Sequence, residues 1–391
     1  YYALGEAGGY ENGLKYLVTG DSLEQLLASQ SLSLSDLTNS STSDATKDAL
    51  NQLDDSVIAA YADNAYQYDS SGRVTQVVAQ GNGCSTCTGG MGTTTFQYEQ
   101  NNNSTDGYNT WSIKRTEYLP GYDFSNPTNS QNTETITYSN YVGQTILQAT
   151  LVGGTISQMD WYHYDDSGRQ TMHANTAAIG SYDESLPDLV NYGVTGDLLN
   201  ANSGLIEYTD FWSSTSATTT TPGSADGFIQ DTAISQGDNG GTPTKYYQTY
   251  NDYVAHASAD GTTIYVIADS AQFLDSVTSK PGSLPTSGVR TTSYDYISWY
   301  GSGSTLTNQV ASTTVTSPEV DSGENGSGTA SASKSWQDQY GRTIWTMDAN
   351  GNVDYTQYDA ATGAVTESIT DVDYSSLTTD QKTAYDLTGW S

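Results

Sequence analysis

A Tyr-Asp signature recurs along this chain and constrains its fold more than any single motif does. It reads Tyr66-Gln67-Tyr68-Asp69-Ser70-Ser71-Gly72-Arg73 first, and Tyr162-His163-Tyr164-Asp165-Asp166-Ser167-Gly168-Arg169 again. In each copy alternating aromatic residues come first, then Asp, Ser and Gly, and then a run rich in β-branched residues. The pattern predicts a repeated antiparallel β-hairpin.

The residues of the turn explain the reversal of the chain. Asp69 and Asp165 open the two turns, because their carboxylates can accept backbone N–H bonds two residues further on. Gly72 and Gly168 supply the positive φ that a tight reversal needs. Tyrosines two positions apart share one face of a strand. We therefore expect neighbouring hairpins to stack their tyrosines into an aromatic seam.

Degenerate copies follow at irregular spacing, which excludes a solenoid with rungs of fixed length. The copy at 336–342 keeps the aromatic residue, the acid and the Gly-Arg pair, 348–353 keeps only the turn, and 355–366 has one extra turn residue. Weaker candidates are 138–144 and 294–296. The predicted structural repeat residues are Tyr66, Tyr68, Asp69, Gly72, Arg73, Tyr162, Tyr164, Asp165, Gly168, Arg169, Trp336, Asp338, Gly341, Arg342, Tyr355, Tyr358, Asp359 and Gly363.

The signature resembles the YD repeats of RHS proteins, a class that includes bacterial RHS toxins, the cocoon subunits of insecticidal toxin complexes and the teneurins. Residues 60–391 further resemble the large secreted RHS-repeat proteins of planctomycetes, with landmarks at 83–90, 107–111, 203–207 and 362–373. The resemblance implies a β-strip wound into a spiral or a hollow shell, which encloses a cargo in the toxin members. Toxin-type cores end in a self-cleavage segment built around Asp-Pro, but none of the eight prolines here follows an Asp. A released toxin is therefore not expected from this stretch.

The charge of the chain limits its partners. Its 45 acidic and 12 basic residues give a net charge of −33, which repels nucleic acid and anionic membranes. A salty or divalent-rich medium screens such self-repulsion, so we expect a secreted protein, extracellular or at the cell surface, with calcium as a possible counterion. Asp348, Asn350, Asn352 and Asp354 alternate around a glycine somewhat as in a calcium loop. The terminal bidentate Glu is missing, which favours an ordinary YD turn there.

The chain divides by composition into a lead-in at 1–60 and a YD-repeat β region at 61–391. In the lead-in, Asp21 followed three residues later by the acid Glu24, together with apolar spacing, predicts a helix that starts near Asp21. A second helix is predicted from Ser43 to Tyr61, and a further short helix at 378–385. Loops are predicted at 213–227, 279–288 and 317–333. Strands are predicted at 111–118, 133–150, 155–164, 245–253, 262–268, 290–300 and 309–316. The predicted fold is mainly β, an antiparallel strip of YD hairpins with a small helical N-terminal segment, and part of a longer chain.

Signals for chemistry are sparse. Cys84 and Cys87 are the only cysteines, and a local disulfide is favoured over a zinc site because no second ligand pair follows. His163, His173 and His256 lie in no recognised nucleophile or metal motif. We predict no cofactor other than calcium and no enzymatic activity, although 45 acidic residues leave paired carboxylates open.

Three functions remain open. The first is an extracellular structural or adhesive scaffold that self-associates end to end into a fibre or surface layer, or joins flanking parts of the same large protein. The second is a segment of a cargo-enclosing shell. The third is a secreted carbohydrate-binding module, since exposed aromatic rings suit glycans. Membrane insertion is not expected, because no apolar stretch is long enough to span a bilayer.

Overall fold

The computed structural model describes residues 8–9, 11–38, 53–79, 92–102, 105–373 and 377–384. These residues are mainly β, as predicted. The helices are α1 Gly20–Ser29, α2 Leu34–Thr38, α3 Asp55–Ala59 and α4 Thr379–Ala384. The strands are β1 Tyr16–Leu17, β2 Asn64–Tyr68, β3 Val74–Ala79, β4 Gly92–Gln100, β5 Ile113–Tyr118, β6 Thr133–Ser139, β7 Thr145–Val152, β8 Thr155–Tyr164, β9 Gln170–Ala174, β10 Leu205–Phe211, β11 Ile229–Gln236, β12 Tyr246–Ala257, β13 Thr263–Val277, β14 Val289–Trp299, β15 Val310–Thr316, β16 Ala332–Gln337, β17 Thr343–Met347, β18 Val353–Tyr358 and β19 Val365–Ile369.

The chain forms two compact units, residues 1–206 with 236–242 and residues 207–235 with 243–391. In the first unit each strand from β1 to β9 pairs antiparallel with the next one along the chain. In the second unit the strands from β11 to β19 pair in the same way. Consecutive antiparallel pairing is what a strip of hairpins requires. The boundary between 60 and 61 stays a prediction.

A β-bulge lies in the strand that follows the turn in five of the YD hairpins, whereas the β17–β18 hairpin around Asp348 pairs without a shift. Gln67 pairs with Gln76 but Tyr68 pairs with Val74, so the second strand carries one extra residue. The same shift lies between His163 and Tyr164. It recurs in the β6–β7, β16–β17 and β18–β19 hairpins. Because a bulge increases the local twist, the repeat sets the twist of the strip as well as its reversals.

The core of the first unit lies on one face of its strands. Trp161 and Tyr138 are fully buried there, as are Leu147 and Ile146, the extra residue of the bulge in β7. Burial of the apolar area of a side chain of this size stabilises the fold by about 2–3 kcal/mol. In the second unit Trp345 is 2% exposed and packs with Val353 and Tyr355. The sealed cores therefore hold Trp and aliphatic residues together with tyrosine.

The first helix lies where it was predicted, but its N-terminal cap differs. We expected an acid three residues after the cap; instead the helix follows Thr19, whose own N–H donates to the carboxylate of Asp63, 44 residues away. Asp63 accepts from the backbone N–H of Thr19 at 2.6 Å and from Ser22 Oγ at 2.7 Å. The predicted helix 43–61 falls partly outside the described residues. Within them it spans only Asp55–Ala59 and begins after Asp54.

The lead-in covers the outer edge of the first YD hairpin. Tyr66 donates its backbone N–H to the Lys15 carbonyl at 2.9 Å, and Tyr68 donates to the Gly8 carbonyl at 2.8 Å. The two-residue strand β1 pairs with the start of β2. An edge strand of this kind is thereby protected from pairing with another chain.

The predicted strands are confirmed. Two of them are longer than predicted, and one predicted range holds two strands. The structure splits 133–150 into β6 and β7 around a turn, lengthens 262–268 to 263–277, and extends 245–253 to 257. The weak turn candidate at 294–296 is wrong, since these residues lie inside β14. The loops 213–227 and 279–288 hold no strand, whereas β16 begins at 332, inside the predicted loop 317–333.

Among the described residues no helix has the length and apolarity to cross a membrane.

Candidate functional site

The YD turn has five residues, and the aspartate at its first position forms hydrogen bonds with the residue at its fifth position. Asp165 Oδ1 accepts from the backbone N–H groups of Ser167 and Arg169, each at 2.9 Å. Its Oδ2 accepts from Arg169 Nε at 2.8 Å. The two main-chain bonds run from Asp165 N–H to the Arg169 carbonyl and from Gly168 N–H to the Asp165 carbonyl. We call this arrangement the clasp.

The clasp recurs with the same bonds in both units. Asp69 and Arg73 form it with an Nε–Oδ2 distance of 2.7 Å, and Asp338 and Arg342 form it with 2.6 Å. The backbone pattern is also the same in each. A charge-assisted bond of this kind is about twice as strong as a neutral one. The predicted repeat residues are thus brought together at these positions.

Two further turns form the clasp without an arginine. Asn140 Oδ1 accepts from the backbone of Gln144 at 2.9 Å, and Asn140 Nδ2 donates to Gln144 Oε1 at 3.0 Å. Asp348 accepts from the backbone and the side-chain amide of Asn352, both at 2.8 Å. The geometry therefore needs an acceptor at the first position and a donor or amide at the fifth, not a charge pair.

The turn after Tyr358 is one residue longer, as predicted. Asp359 N–H donates to the Ala364 carbonyl at 2.8 Å, and Gly363 N–H donates to the Asp359 carbonyl at 2.9 Å. A turn that the sequence pattern missed lies at Ser258. Its N–H donates to the Thr262 carbonyl, with Gly261 at the positive-φ position. Serine replaces the aspartate there, so the Tyr-Asp signal is absent.

A tyrosine joins three of the clasps to the neighbouring hairpin. Tyr98 donates its hydroxyl to the Val74 carbonyl at 2.9 Å, and Val74 directly follows the first clasp. Tyr164 donates to Thr145 at 2.6 Å, directly after the Asn140 clasp. Tyr358 and Thr343 repeat this at 3.0 Å, directly after the Asp338 clasp. The clasp together with this tyrosine is called the hairpin joint.

The clasp arginine also contacts the joint tyrosine through its ring. The guanidinium carbon of Arg73 lies 4.6 Å from the ring centroid of Tyr98, and that of Arg342 lies 4.7 Å from the centroid of Tyr358. Each contact adds about 0.5–1 kcal/mol at a partly exposed site. The hydroxyl bond explains why tyrosine rather than phenylalanine stands at these three positions, since phenylalanine has no hydroxyl to donate.

The electrostatics of the clasp favour the ionised aspartate. Burial would raise the pKa of Asp165, but the hydrogen bonds from Arg169 and Ser167 and the arginine charge outweigh it, so the pKa lies below 3.8. The pKa values of Asp69 and Asp338 are lowered by the same balance. These three aspartates are therefore ionised at neutral pH, and each can form the charge-assisted bond to its arginine.

The calcium candidates are partly engaged in this turn chemistry. Asp348 accepts from Asn350, Asn352 and the Asn352 amide, and Asp354 accepts from the backbone of Asp371 at 2.9 Å. Among the described residues no group of three or more His, Cys, Asp or Glu side chains is placed to hold a metal. Calcium binding stays a prediction.

Cys84 and Cys87 lie outside the described residues, so the predicted disulfide between them stays a prediction.

The three histidines lie in separate settings. His163 Nδ1 is 3.2 Å from Thr171 Oγ1, and burial lowers the pKa of His163 below 6.5. His173 pairs with Asp160 at 3.0 Å and stacks on Tyr162. His256 stacks on Trp299 with a ring separation of 3.6 Å. The absence of enzymatic activity stays a prediction.

An ion pair between a buried aspartate and an exposed lysine, which sequence reasoning missed, lies in the second unit. Asp231 is 1% exposed, and its Oδ2 lies 3.6 Å from Lys280 Nζ, which also donates to Asp210 Oδ2 at 2.7 Å. Burial raises the pKa of Asp231 to about 6, with Lys280 opposing the shift. In the first unit burial and the neighbouring Asp238 raise the pKa of Asp197 to about 6 as well. No local motif marks either aspartate in the sequence.

Comparisons with known proteins give distant structural likenesses. No family model and no curated protein matches the chain. The crystal structure of TcdB2-TccC3 is similar with a TM-score of 0.31 and 15% identity, over 80% of this chain and 15% of that one. The crystal structure of TcdB2-TccC3-Cdc42 is similar with a TM-score of 0.28 and 13% identity, over 80% and 14%. The chain thus spans about 15% of the structure first named, and likenesses at these TM-scores carry no argument about function.

Proposed function

We propose that this chain is a rigid extracellular scaffold whose consecutive YD hairpins are linked by hairpin joints. The recurrent joint carries the proposal, because it uses the side chains of the repeat for bonds between strands. Each joint combines a clasp, a hydroxyl bond and, where arginine is present, a cation contact. Together these three interactions restrain both the turn and the neighbouring strand. A β-strip that must stay rigid under force needs both restraints.

The route to self-association in this proposal is the outer edge of β19. Its five residues are all exposed, with Val365 at 58% and Ile369 at 38%, and its partner among the described residues is β18. A strand of this kind presents alternate N–H and C=O groups to a further strand. The lead-in covers the edge of β2 at the other end of the pairing order. We therefore place the association at β19, with a second copy of the chain as the partner.

The acidic composition makes the association depend on cations. Strand addition at β19 would bring Glu367, Asp371 and the corresponding residues of a second copy together. Like charges at close range oppose this unless a divalent cation or high salt screens them. Calcium at an acidic interface between copies is thus part of the proposal, in an extracellular medium.

Electron microscopy and light scattering of the chain, with calcium and with a chelator, test the proposal. We expect filaments or other regular assemblies that dissociate on chelation. The variant Val365→Glu/Ile369→Glu adds charge to the β19 edge and should abolish association, whereas Phe124→Glu, at a 55% exposed site elsewhere, should not. Isolated hollow particles would instead assign the chain to a cargo-enclosing shell. Monomers in every medium would refute self-association.

A further inference from the structure

A cavity of about 310 Å³ lies in the second unit, on one face of β12, β13 and β14. The side chains of His256, Tyr294, Tyr296 and Trp299 line it, and Thr219 and Thr220 of the loop 213–227 form one wall. Its volume is at the lower end of small-molecule sites. None of these residues belongs to a hairpin joint, so the scaffold does not account for the cavity.

Hydrogen bonds hold the threonine wall against the sheet. Gly223 and Tyr253 exchange two backbone bonds at 2.9 and 2.8 Å, and Ala255 N–H donates to the Thr218 carbonyl at 3.0 Å. The loop thus adds to the edge of β12 as a short extra strand would. A wall held in this way is preformed, which reduces the entropy cost of binding.

The aromatic side of the cavity is equally ordered. His256 lies parallel to Trp299, with 3.6 Å between ring centroids and 8° between planes, and Tyr296 lies 5.7 Å from Trp299. His256 Nε2 is 2.8 Å from the Thr307 carbonyl. A carbonyl only accepts, so Nε2 carries the proton, and Nδ1 of the neutral ring is an acceptor.

The charges around the cavity select an uncharged ligand. No Lys or Arg is among the lining residues that the structure describes, so an anion finds no counter-charge there, and the net charge of −33 also repels it. Asp295 is the one acid in the lining, but strand alternation directs its side chain to the face opposite Tyr294 and Tyr296. An organic cation therefore finds no carboxylate directed into the cavity from these strands.

We propose that this cavity binds one neutral sugar ring of a glycan. A pyranose has apolar C–H faces, which pack on tyrosine and tryptophan rings, and hydroxyls, which need several donors and acceptors at short range. The lining supplies both, through its aromatic side chains and through Thr219, Thr220 and His256 Nδ1. Apolar walls with a few convergent polar groups are the usual composition of such sites.

The test is titration of the whole chain with the methyl glycosides of glucose, galactose, mannose and N-acetylglucosamine, followed by calorimetry and saturation-transfer NMR. Choline serves as the cationic probe and glucuronate as the anionic one. We expect saturable binding of at least one glycoside with a Kd on the order of 1 mM, as is reasonable for a ligand of this size.

Two variants locate the site. Thr220→Trp fills the cavity from an exposed loop position, and Trp299→Ala removes the aromatic side; each should weaken glycoside binding more than about tenfold. Tyr340→Ala, at a residue that is 67% exposed and outside the cavity, is the matched control and should bind normally. A melting curve identifies loss of fold in Trp299→Ala. Binding that survives Thr220→Trp, binding of choline or glucuronate alone, or no binding would overturn the proposal, and light scattering reports separately on self-association.

Discussion

Arg169 donates its Nε to Asp165 Oδ2 at 2.8 Å while its own backbone N–H donates to Asp165 Oδ1 at 2.9 Å. One carboxylate thus binds the main chain and the side chain of the same residue. Because Asp165 N–H also donates to the Arg169 carbonyl, the two residues that flank the turn are joined by several bonds at once. Loss of the Asp165 carboxylate would remove the side-chain bonds that hold the first and fifth residues of the turn together.

Asp165→Ala should lower the free energy of unfolding by about 1–2 kcal/mol, since it removes three accepted bonds, one of them charge-assisted but partly reached by solvent. Urea denaturation measures the change. Asp166→Ala, at the exposed neighbouring position, should change stability by less than about 0.5 kcal/mol. Equal effects of the two substitutions would contradict the role of the clasp.

Gly168→Ala should be more destabilising than Gly351→Ala, although both glycines have positive φ, +76° and +86°. An added Cβ at 168 would meet the Tyr108 ring at 2.6 Å, whereas at 351 it would meet nothing within 4 Å. The shared backbone strain costs about 1 kcal/mol in each variant, so the difference reports the contact with Tyr108. Thermal unfolding of both variants in the same buffer measures it, and the reverse order would argue against the described packing.

Tyr164→Phe should lower stability by about 1–2 kcal/mol, because the Thr145 carbonyl loses its hydroxyl donor at 2.6 Å while the ring remains. Tyr340→Phe removes a hydroxyl from a ring that is 67% exposed and should be close to neutral. Hydrogen exchange of the β7 amides tests the same bond locally. If Tyr164→Phe leaves both stability and exchange unchanged, the hydroxyl does not join the hairpins.

Stability should be highest near about pH 4 and should fall as the pH rises towards 6, because two groups of aspartates act in opposite directions. The clasp aspartates have pKa values below 3.8 in the folded state, so their contribution is present above that value and lost as the pH falls through the folded pKa. Asp231 and Asp197 have folded pKa values near 6. Their contribution is full below 3.8 and is lost as the pH rises through 6. Denaturant titrations across pH measure the curve.

Asp231→Asn should raise stability at pH 8 by about 1–2 kcal/mol and reduce the loss between about pH 4 and pH 6. The amide removes a buried charge, and Lys280 keeps Asp210 as its partner. The groups that face Asp231 are Asp210, Lys245, Tyr247 and Lys280. Asp226→Asn, at an exposed position of the same unit, is the control and should leave the pH curve unchanged. A destabilised Asp231→Asn variant would mean that the ion pair stabilises the fold.

The hairpins were predictable because their chemistry is local. The acceptor, the positive-φ glycine and the donor of a clasp lie within five residues, as in Asp69 to Arg73, so the sequence alone indicates the bonds. The extra residue of the Asp359 turn was predictable for the same reason. The Ser258 turn was missed because the hydroxyl residue carries no distinctive pattern.

The joints and the buried charges were not predictable, since their partners are distant in sequence. Tyr98 reaches a carbonyl 24 residues away, and Asp63 accepts from Thr19, 44 residues away, at the start of a helix. Asp231 and Lys280 meet only once several strands have paired. The aromatic seam was expected from ring stacking, whereas the joints described here use the hydroxyl group and the arginine.

The turn at Asn140 forms the clasp with two neutral amides in place of the ion pair. Screening by salt weakens interactions between charges but leaves an amide-to-amide bond largely intact. A hairpin held in this way keeps its shape across a wide range of ionic strength. Exchange of Asp–Arg for Asn–Gln at the other clasps would thus yield a strip whose turns no longer respond to salinity.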